Sequence, residues 1–241
     1  MGAIILDTET TGIDEPDVIE LAYAGPFETI APSATPAIHR QRFKPGKPIS
    51  LGAMATHHII EEDLAEEPPW VKPWPLPPGV DVLIGHNIDF DWQAIGAPQV
   101  KRICTLALAR SLWPELDSHS LTALTYQFGD KAAVRKMLRH AHEASVDVYL
   151  VGVLMTHLFL ALPYVRTWEE LWEASEKARM PTRFTFGKYG PDKGNPGALI
   201  ADIRRQDPGY IEWCIFKCDM CSDPYWQGAL RGIAGPFGKT T

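Results

Sequence analysis

The segment Ile4-Ile5-Leu6-Asp7-Thr8-Glu9-Thr10-Thr11-Gly12 decides the fold, because an apolar run leads directly into two carboxylates and a turn. The run Ala3–Asp7 predicts a buried β-strand, which the Thr11-Gly12 turn follows. Residues i and i+2 of a strand project from the same face, so Asp7 and Glu9 are expected to point together. Two carboxylates on one rigid edge suit Mg²⁺ or Mn²⁺, whereas a solvated strand end is the alternative for such a pair alone.

Apolar runs further along the chain predict an α/β domain. Four of them predict strands: Val18–Ala24, Ile38–Phe43, Val80–Gly85 and Arg102–Thr105. Helices are predicted near Leu51–Thr56, Leu106–Leu112, Ser120–Phe128, Ala132–Leu138 and Glu143–Leu162. Short turns containing proline favour antiparallel pairing of the first three strands, and the later alternation of strands with helices favours a mixed sheet. The stretch Pro68–Pro78 holds six prolines in eleven residues and is expected to be irregular.

A break at Leu162-Pro163 divides the chain into three predicted parts. Residues 1–163 form the main domain, residues 164–182 a linker helix, and residues 183–241 a small α+β module. The capping box Thr167-Trp168-Glu169-Glu170 begins the linker helix. In the module, Arg183–Gly190 predicts a short hairpin, and Asp207-Pro208-Gly209 begins a helix.

The composition is that of a soluble globular protein, with 45% hydrophobic and 22% charged residues. The amino terminus lacks the pattern of a signal peptide, and the most apolar stretch, Val148–Leu162, is short for a bilayer span. We therefore expect a cytoplasmic protein with no membrane association. Residues 1–163 carry 12 Lys+Arg against 20 Asp+Glu, and residues 164–241 carry 11 against 10. This acidity argues against tight, non-specific coating of nucleic acid.

The four cysteines, Cys104, Cys214, Cys218 and Cys221, do not predict a disulfide framework in a chain without a secretory signal. The last three have the i, i+4, i+7 spacing of one helical face, which favours packing in a core. A zinc site or an iron–sulfur cluster is the alternative, although no histidine or fourth cysteine lies nearby to complete a structural zinc site.

Two later segments also carry acidic residues at the ends of predicted elements. Leu83-Ile84-Gly85-His86-Asn87-Ile88-Asp89-Phe90-Asp91 takes a strand end into a loop and a helix, and His142-Glu143-Ala144-Ser145-Val146-Asp147 opens the long apolar helix. On an ideal helix His142 and Asp147 would lie about 140° apart. They can converge only if His142 lies in the preceding loop or in a frayed first turn, which is the expected place for a mobile base beside a fixed metal ligand.

Together the three segments resemble the DEDDh exonucleases, the DnaQ-like family within the RNase H-like fold. Asp7-Thr8-Glu9-Thr10-Thr11-Gly12 is similar to the first motif of the family, His86-Asn87-x2-Phe90-Asp91 to the second, and His142-x4-Asp147 to the third in its histidine form. The helix that begins at His119-Ser120-Leu121 also resembles the one before the third motif. The resemblance implies an RNase H-like mixed five-stranded sheet flanked by helices.

The resemblance also implies a mechanism. Such 3′→5′ exonucleases hydrolyse phosphodiester bonds with two Mg²⁺ ions, for which Mn²⁺ can substitute, and they release 5′-mononucleotides. The motif matches make Asp7, Glu9, Asp91 and Asp147 the expected metal ligands and His142 the expected general base. Asp89 is the competitor for the place of Asp91, which the Phe-Asp pairing of the second motif favours.

Substrate contacts follow from the same analogy. They would come from the backbone amides of Thr10 and Thr11 and from Ile13, His57 and Asn87, with a satisfied loop histidine and a turn asparagine as the alternatives for the last two. Aromatic residues of the C-terminal module, near Arg183 and Lys188, either stack on single-stranded nucleic acid or form the core of the module: Phe184, Phe186, Tyr189, Tyr210 and Trp213.

The expected partner is a DNA 3′ end, single-stranded or duplex, with DNA repair proteins and a second copy of the chain as further candidates. An exoribonuclease or a polymerase proofreading subunit of the same family would share these carboxylates. An inactive exonuclease fold that only binds strand ends is the alternative from another class. A clustered set of mutually repelling carboxylates argues against it.

Overall fold

The computed structural model describes residues 1–30, 37–138, 143–192 and 196–233. The chain forms two compact units, Met1–Ser175 and Glu176–Thr241. The boundary between these units falls within one helix, Trp168–Arg179, and this helix contains most of the predicted linker. The division into residues 1–163, 164–182 and 183–241 stays a prediction.

A five-stranded mixed sheet forms the centre of the first unit. Its strands are β1 (Gly2–Thr10), β2 (Val18–Phe27), β3 (Ile38–Arg42), β4 (Val80–Gly85) and β5 (Lys101–Cys104), in the order β3-β2-β1-β4-β5. β2 pairs antiparallel with β1 and β3, whereas β4 pairs in parallel with β1 and β5. The predicted fold class is therefore confirmed, and the strand that carries Asp7 and Glu9 lies in the middle of the sheet.

The central place of β1 follows from its composition. Ile4 and Leu6 are fully buried, as is Ala3, so successive residues on both faces of the strand are covered. A strand that is buried on both faces needs a continuous apolar run rather than an alternating one, and this run ends where Asp7 begins the polar part.

Helices cover this sheet. They are α1 (Leu51–His57), α2 (Asp89–Ala94), α3 (Thr105–Leu112), α4 (Leu121–Phe128), α5 (Lys131–Met137) and α6 (Ala144–Ala161), followed by α7 (Trp168–Arg179). Ser50, Ser120 and Asp130 begin α1, α4 and α5 with side-chain oxygens that accept backbone N–H bonds. The stretch Pro68–Pro78 is irregular apart from an isolated bridge between Lys44 and Pro69, as predicted.

α6 is the long apolar helix of the first unit, and it packs against β1 and β2. Within the described residues it is also the helix whose length and composition would allow it to cross a membrane. The buried core helix of a globular domain meets the same criteria. Its main consequence is positional, because it carries Asp147 in its first turn directly over the central strands.

The second unit is mostly helical where it is described. α8 (Ile200–Gln206), α9 (Pro208–Lys217) and α10 (Pro224–Arg231) pack around the fully buried Phe184. The hairpin predicted at Arg183–Gly190 is not formed, because the backbone around Arg183 pairs with a later segment. Arg183 makes an isolated bridge with Leu199, and the Phe184 N–H donates to the Ala198 carbonyl at 2.9 Å. The predicted α+β module is thus largely α.

The three clustered cysteines do not share one helical face, and that prediction was wrong. α9 ends at Lys217, so Cys218 lies just beyond the helix and Cys221 lies in a short 3₁₀ turn. Cys214 and Cys221 are nevertheless fully buried in the core of the second unit. Burial raises the pKa of both thiols, as expected for cysteines packed among apolar side chains.

Candidate active site

The site begins where β1 extends beyond the end of its parallel pairing with β4. The β1–β4 pairing ends at Ile5↔Ile84, whereas β1 continues to Thr10. The N–H of Thr8 is therefore available on that side, and it donates to Asp91 Oδ1 at 2.9 Å. The Thr8 hydroxyl donates to the same oxygen at 2.7 Å. Two bonds to one oxygen fix the Asp91 carboxylate against the strand and leave its other oxygen for a further partner.

Three carboxylates from two elements converge beside this contact. Oxygens of Asp7 and Glu9, from β1, and of Asp147, from α6, all lie within 4.8 Å of one another. The strand alternation places the first two on one face, as predicted, and the first turn of α6 brings the third over them. Hard oxygen ligands at this spacing fit a divalent cation such as Mg²⁺.

The carboxylates of the cluster lie close enough to repel one another, and their pKa values rise. Burial, followed by repulsion from Asp91 and Asp147, raises the pKa of Asp7 well above its usual value. Burial and repulsion from Asp147 raise the pKa of Glu9 to about 9. Burial raises the pKa of Asp91 to about 7, although the two bonds from Thr8 act in the opposite direction. A bound divalent cation would relieve this repulsion.

Asp89 and Asp91 differ clearly in their surroundings. Asp89 forms an ion pair with Arg102, which also lies over the Trp92 ring at 3.9 Å. Asp91 is buried and interacts electrostatically with Asp147. The geometry therefore favours Asp91 over Asp89 as a member of the acidic cluster.

The predicted base, His142, lies outside the described residues. Its neighbour in the chain, Glu143, is the N-cap of α6, and the helix begins at Ala144. Position 142 thus precedes the helix in the sequence. This is what the two side chains require if they are to converge, because on an ideal helix residues 142 and 147 would lie about 140° apart.

The residues predicted to contact substrate are placed unequally. The Thr11 N–H donates to the Asp17 carbonyl oxygen at 2.9 Å, so a contact from this amide to a sugar would have to replace that turn bond. The hydroxyl of Thr10 donates to the Gly12 carbonyl, and Ile13 is 88% exposed beside this turn. An exposed apolar side chain at that place suits the predicted wedge against a base.

His57 and Asn87 match their structural alternatives. His57 is buried, with Nδ1 accepting from the Ile59 N–H at 3.0 Å and Nε2 3.2 Å from the Thr10 carbonyl. Both ring nitrogens are thereby engaged with backbone, which opposes the predicted reach to a nucleotide. Asn87 has a positive φ of 73° in the turn before α2, a conformation that asparagine tolerates.

Two polar residues close to the acidic cluster were not predicted from the sequence. Thr8 is one, since its role depends on a contact 83 residues away in the chain. Glu20 is another: it is fully buried on β2, opposite Glu9 in the strand register, and is held by Arg40 and Arg42. A charged residue within the apolar run Val18–Ala24 was the signal that could have identified it.

Comparisons with known proteins agree with this arrangement, although no protein-family model matches the chain. Exodeoxyribonuclease 10 of Escherichia coli K12 is 31% identical over 219 residues, which cover 90% of this chain and 92% of that protein. DNA polymerase III subunit epsilon of Buchnera aphidicola is 28% identical over 177 residues, covering 63% of this chain and 70% of that protein.

Solved structures give the same fold. Exonuclease X in complex with 5′-overhanging duplex DNA has a TM-score of 0.56 at 25% identity, and the match covers 72% of this chain and 99% of that one. An E. coli ExoI–ssDNA complex has a TM-score of 0.52 at 15% identity, covering 75% of this chain and 45% of that one, and supports the fold alone.

The central strand of a mixed sheet carries two carboxylates, and two helices that flank the sheet add further acidic residues. This arrangement is that of a metal-dependent nuclease of the DnaQ-like class. The chain belongs to this family of 3′→5′ exonucleases. Within the family it is similar to exodeoxyribonuclease 10 over nearly its whole length. Segments such as Phe184-Thr185-Phe186-Gly187-Lys188-Tyr189 and Ala109-Arg110-x-Leu112-Trp113-Pro114 predicted this closer similarity to exodeoxyribonuclease X, and it is confirmed.

Proposed function

We propose that this exonuclease removes nucleotides from DNA 3′ ends and releases 5′-mononucleotides. The observation that carries the proposal is the convergence of Asp7, Glu9 and Asp147 within 4.8 Å of one another, with Asp91 bonded to the same strand. DNA as the substrate follows from the similarity to exodeoxyribonuclease 10 over 90% of the chain. An exoribonuclease or a proofreading subunit would use the same carboxylates, so the substrate must be tested directly.

We propose that the cluster holds two Mg²⁺ ions, with Mn²⁺ as a substitute. Asp7, Glu9, Asp91 and Asp147 would hold these ions with their carboxylate oxygens, Asp91 with the oxygen that Thr8 does not bind. Such ions supply charge stabilisation at the attacking and leaving oxygens of the phosphodiester. The bonds from Thr8 hold Asp91 in one orientation, so that less reorganisation accompanies metal binding.

His142 is proposed as the general base that takes a proton from the attacking water. In the sequence it stands two residues before α6, the helix whose first turn carries Asp147. An imidazole with an ordinary pKa near 6.5 is suited to this proton transfer at neutral pH. Ile13 would contact the terminal base, and Thr10, Thr11, His57 and Asn87 would line the same end of the site.

We propose that the second unit, which contains the predicted module 183–241, binds single-stranded DNA. Its predicted ring set divides in the structure: Phe184 is buried, Phe186, Tyr189 and Tyr210 are half-buried, and Trp213 is exposed. Trp213 and Phe216 lie three residues apart on α9 and are 48% and 66% exposed. The Arg231 guanidinium lies 5.6 Å from the Phe216 ring, and Lys217 is exposed beside it. Exposed rings next to cations suit stacked bases with a phosphate backbone.

The cellular setting is also proposed from the family to which the chain belongs. A cytoplasmic location, DNA repair proteins as partners and a homodimer are all compatible with a DNA-processing exonuclease. An exposed apolar face such as the one around Trp213 could equally meet a second copy. Measurement of the mass in solution separates these two occupants of the face.

One experiment tests the function. The protein is incubated with 5′-labelled single-stranded DNA, duplex DNA and RNA of one sequence, in Mg²⁺ and in EDTA. We expect stepwise shortening of the DNA from its 3′ end only in Mg²⁺. If none of the three substrates is shortened in Mg²⁺ or Mn²⁺, the enzyme proposal fails. If RNA is cleaved in preference to DNA, the enzyme is an exoribonuclease and the proposal of a DNA substrate is wrong.

A further inference from the structure

Glu20 is fully buried and lies opposite Glu9 of the acidic cluster in the strand register. Its side-chain oxygens accept hydrogen bonds from two arginines and from a backbone N–H. Its Oε2 accepts from Arg40 Nη2 at 2.6 Å and from Arg42 Nε at 2.7 Å. The strand register explains this, because Glu20 lies opposite Glu9 on β1 and opposite Arg42 on β3. Residues paired in this way share one face of the sheet. Glu20 is thus neutralised by two guanidinium groups at the edge of the site.

The second oxygen of Glu20 reaches α6. Oε1 accepts from the Ala144 N–H at 3.1 Å, across 124 residues of sequence. Within the described part of the chain, the N-cap residue of α6, Glu143, makes no side-chain capping bond. The first N–H groups of a helix need acceptors, so a strand residue performs the task that a local cap performs elsewhere. A carboxylate is also favoured at a helix N-terminus by the helix dipole.

The same contacts continue to Asp147. Arg40 holds Glu20 and also lies 3.6 Å from the Glu143 carboxylate. The Glu143 carbonyl accepts the backbone N–H of Asp147 at 3.1 Å. A chain of short contacts therefore leads from the β2–β3 edge, through the start of α6, to the backbone of a cluster carboxylate.

We propose that Glu20 is a positioning residue: with Arg40 and Arg42 it fixes the start of α6 and thereby sets the place of the Asp147 carboxylate relative to Asp7 and Glu9. This inference rests on the proposed function, in which Asp147 holds a metal ion. A buried carboxylate close to other carboxylates is costly unless it is paired, and the two arginines supply the pairing. Displacement of a catalytic group by about 1 Å can reduce a rate by about 100-fold, so a fixed helix start has direct value for the reaction.

The test compares Glu20→Gln with wild type and with Glu169→Gln, which removes an ion pair with Lys101 elsewhere in the same unit. Cleavage of single-stranded DNA is measured against Mg²⁺ concentration, and Mn²⁺ binding is measured by the shift in Tm without substrate. For Glu20→Gln we expect kcat to fall about 10- to 100-fold, a higher half-saturating metal concentration, a KM within about twofold of wild type, and partial recovery at high Mn²⁺. Glu169→Gln should match wild type.

The outcomes separate the two proposals. If Glu20→Gln lowers the metal-free Tm but leaves kcat and metal affinity unchanged, Glu20 only stabilises the fold and the inference is overturned. If Glu20→Gln does not fold, Arg42→Lys replaces it, with a smaller loss of kcat and metal affinity expected and unchanged values again overturning the inference. Wild-type protein that binds Mn²⁺ without cleaving any strand would contradict the proposed function alone, and the Tm shift would still decide the role of Glu20.

Discussion

The carboxyl end of β1 and the exposed face of α9 differ in an instructive way. Apolar groups are usually buried and charged groups exposed, and the two regions depart from this rule in opposite directions. Asp7, Glu9 and Asp91 concentrate like charges in a largely buried place, and their pKa values rise as a result. Trp213 and Phe216 leave large rings in solvent. The difference extends to whole units: residues 1–175 carry 13 Lys+Arg against 23 Asp+Glu, and residues 176–241 carry 10 against 7.

In the proposed function, the carboxyl end of β1 carries out the chemistry and the exposed face of α9 binds the strand. Repelling carboxylates destabilise the metal-free fold, and a bound cation would offset that repulsion. Exposing aromatic rings to water is unfavourable, but stacking of bases on them does not require a rigid geometry. Such rings suit a nucleic-acid strand that is bound without regard to its sequence. Substitutions at the first place should therefore affect the catalytic rate, and those at the second should affect affinity.

The largest effect is expected from Asp7→Asn. The substitution keeps the shape of the side chain but removes a carboxylate that we propose holds the metal, so kcat should fall by about 1,000-fold or more. The metal-free Tm should be equal to or higher than that of wild type, because one of the repelled charges is gone. Cleavage assays and thermal melting in EDTA measure both quantities. Loss of folding by circular dichroism would show instead that Asp7 is structural.

A second prediction compares two neighbours on α2. Asp91→Asn should lower kcat by about 100-fold or more, because it removes a carboxylate that the Thr8 bonds orient toward the cluster. Asp89→Asn should stay within about threefold of wild type, since Asp89 pairs with Arg102 in a partly exposed place. The two variants carry the same chemical change two residues apart. The reverse order of effects would exchange the roles of Asp89 and Asp91.

The local parts of this site were predictable from the sequence. The apolar run, the carboxylate pair and the turn of β1 lie within nine consecutive residues, so periodicity and chemistry could be read together. The antiparallel pairing of the first three strands was predictable for a similar reason, because short connections join them.

The parts that depend on distant contacts were not predictable. Thr8 meets Asp91 across 83 residues, and Glu20 meets Ala144 across 124. The missing hairpin has the same cause, since Arg183 pairs with Leu199 rather than with its near neighbours. Spacing alone also gave no sign that α9 would end at Lys217 and place Cys218 beyond the helix. Local patterns determine elements, whereas the tertiary contacts determine which side chains orient the site.

The third prediction concerns the stability of the metal-free protein against pH. The folded pKa values of Glu9, about 9, and of Asp91, about 7, exceed their usual values of 4.5 and 3.8. The folded state therefore holds protons that the unfolded state has released, and stability should fall as pH rises from about 4.5 to about 9. In EDTA we expect Tm to drop by on the order of 5 °C across this range. Saturating Mg²⁺ should reduce the drop, and Glu9→Gln should flatten it; an equal slope in Glu9→Gln would exclude Glu9 as its source.

The smallest effect is expected at α9. Trp213→Ala removes one stacking surface, so the dissociation constant for a single-stranded oligonucleotide, measured in EDTA, should rise about fivefold to tenfold. The kcat on saturating substrate should stay unchanged, because the ring lies outside the acidic cluster. Tyr164→Ala is the matched control, since Tyr164 is 65% exposed in the first unit. If Trp213→Ala instead halves the mass measured by sedimentation and leaves strand affinity unaltered, the face joins two copies of the chain and the binding role of α9 is wrong.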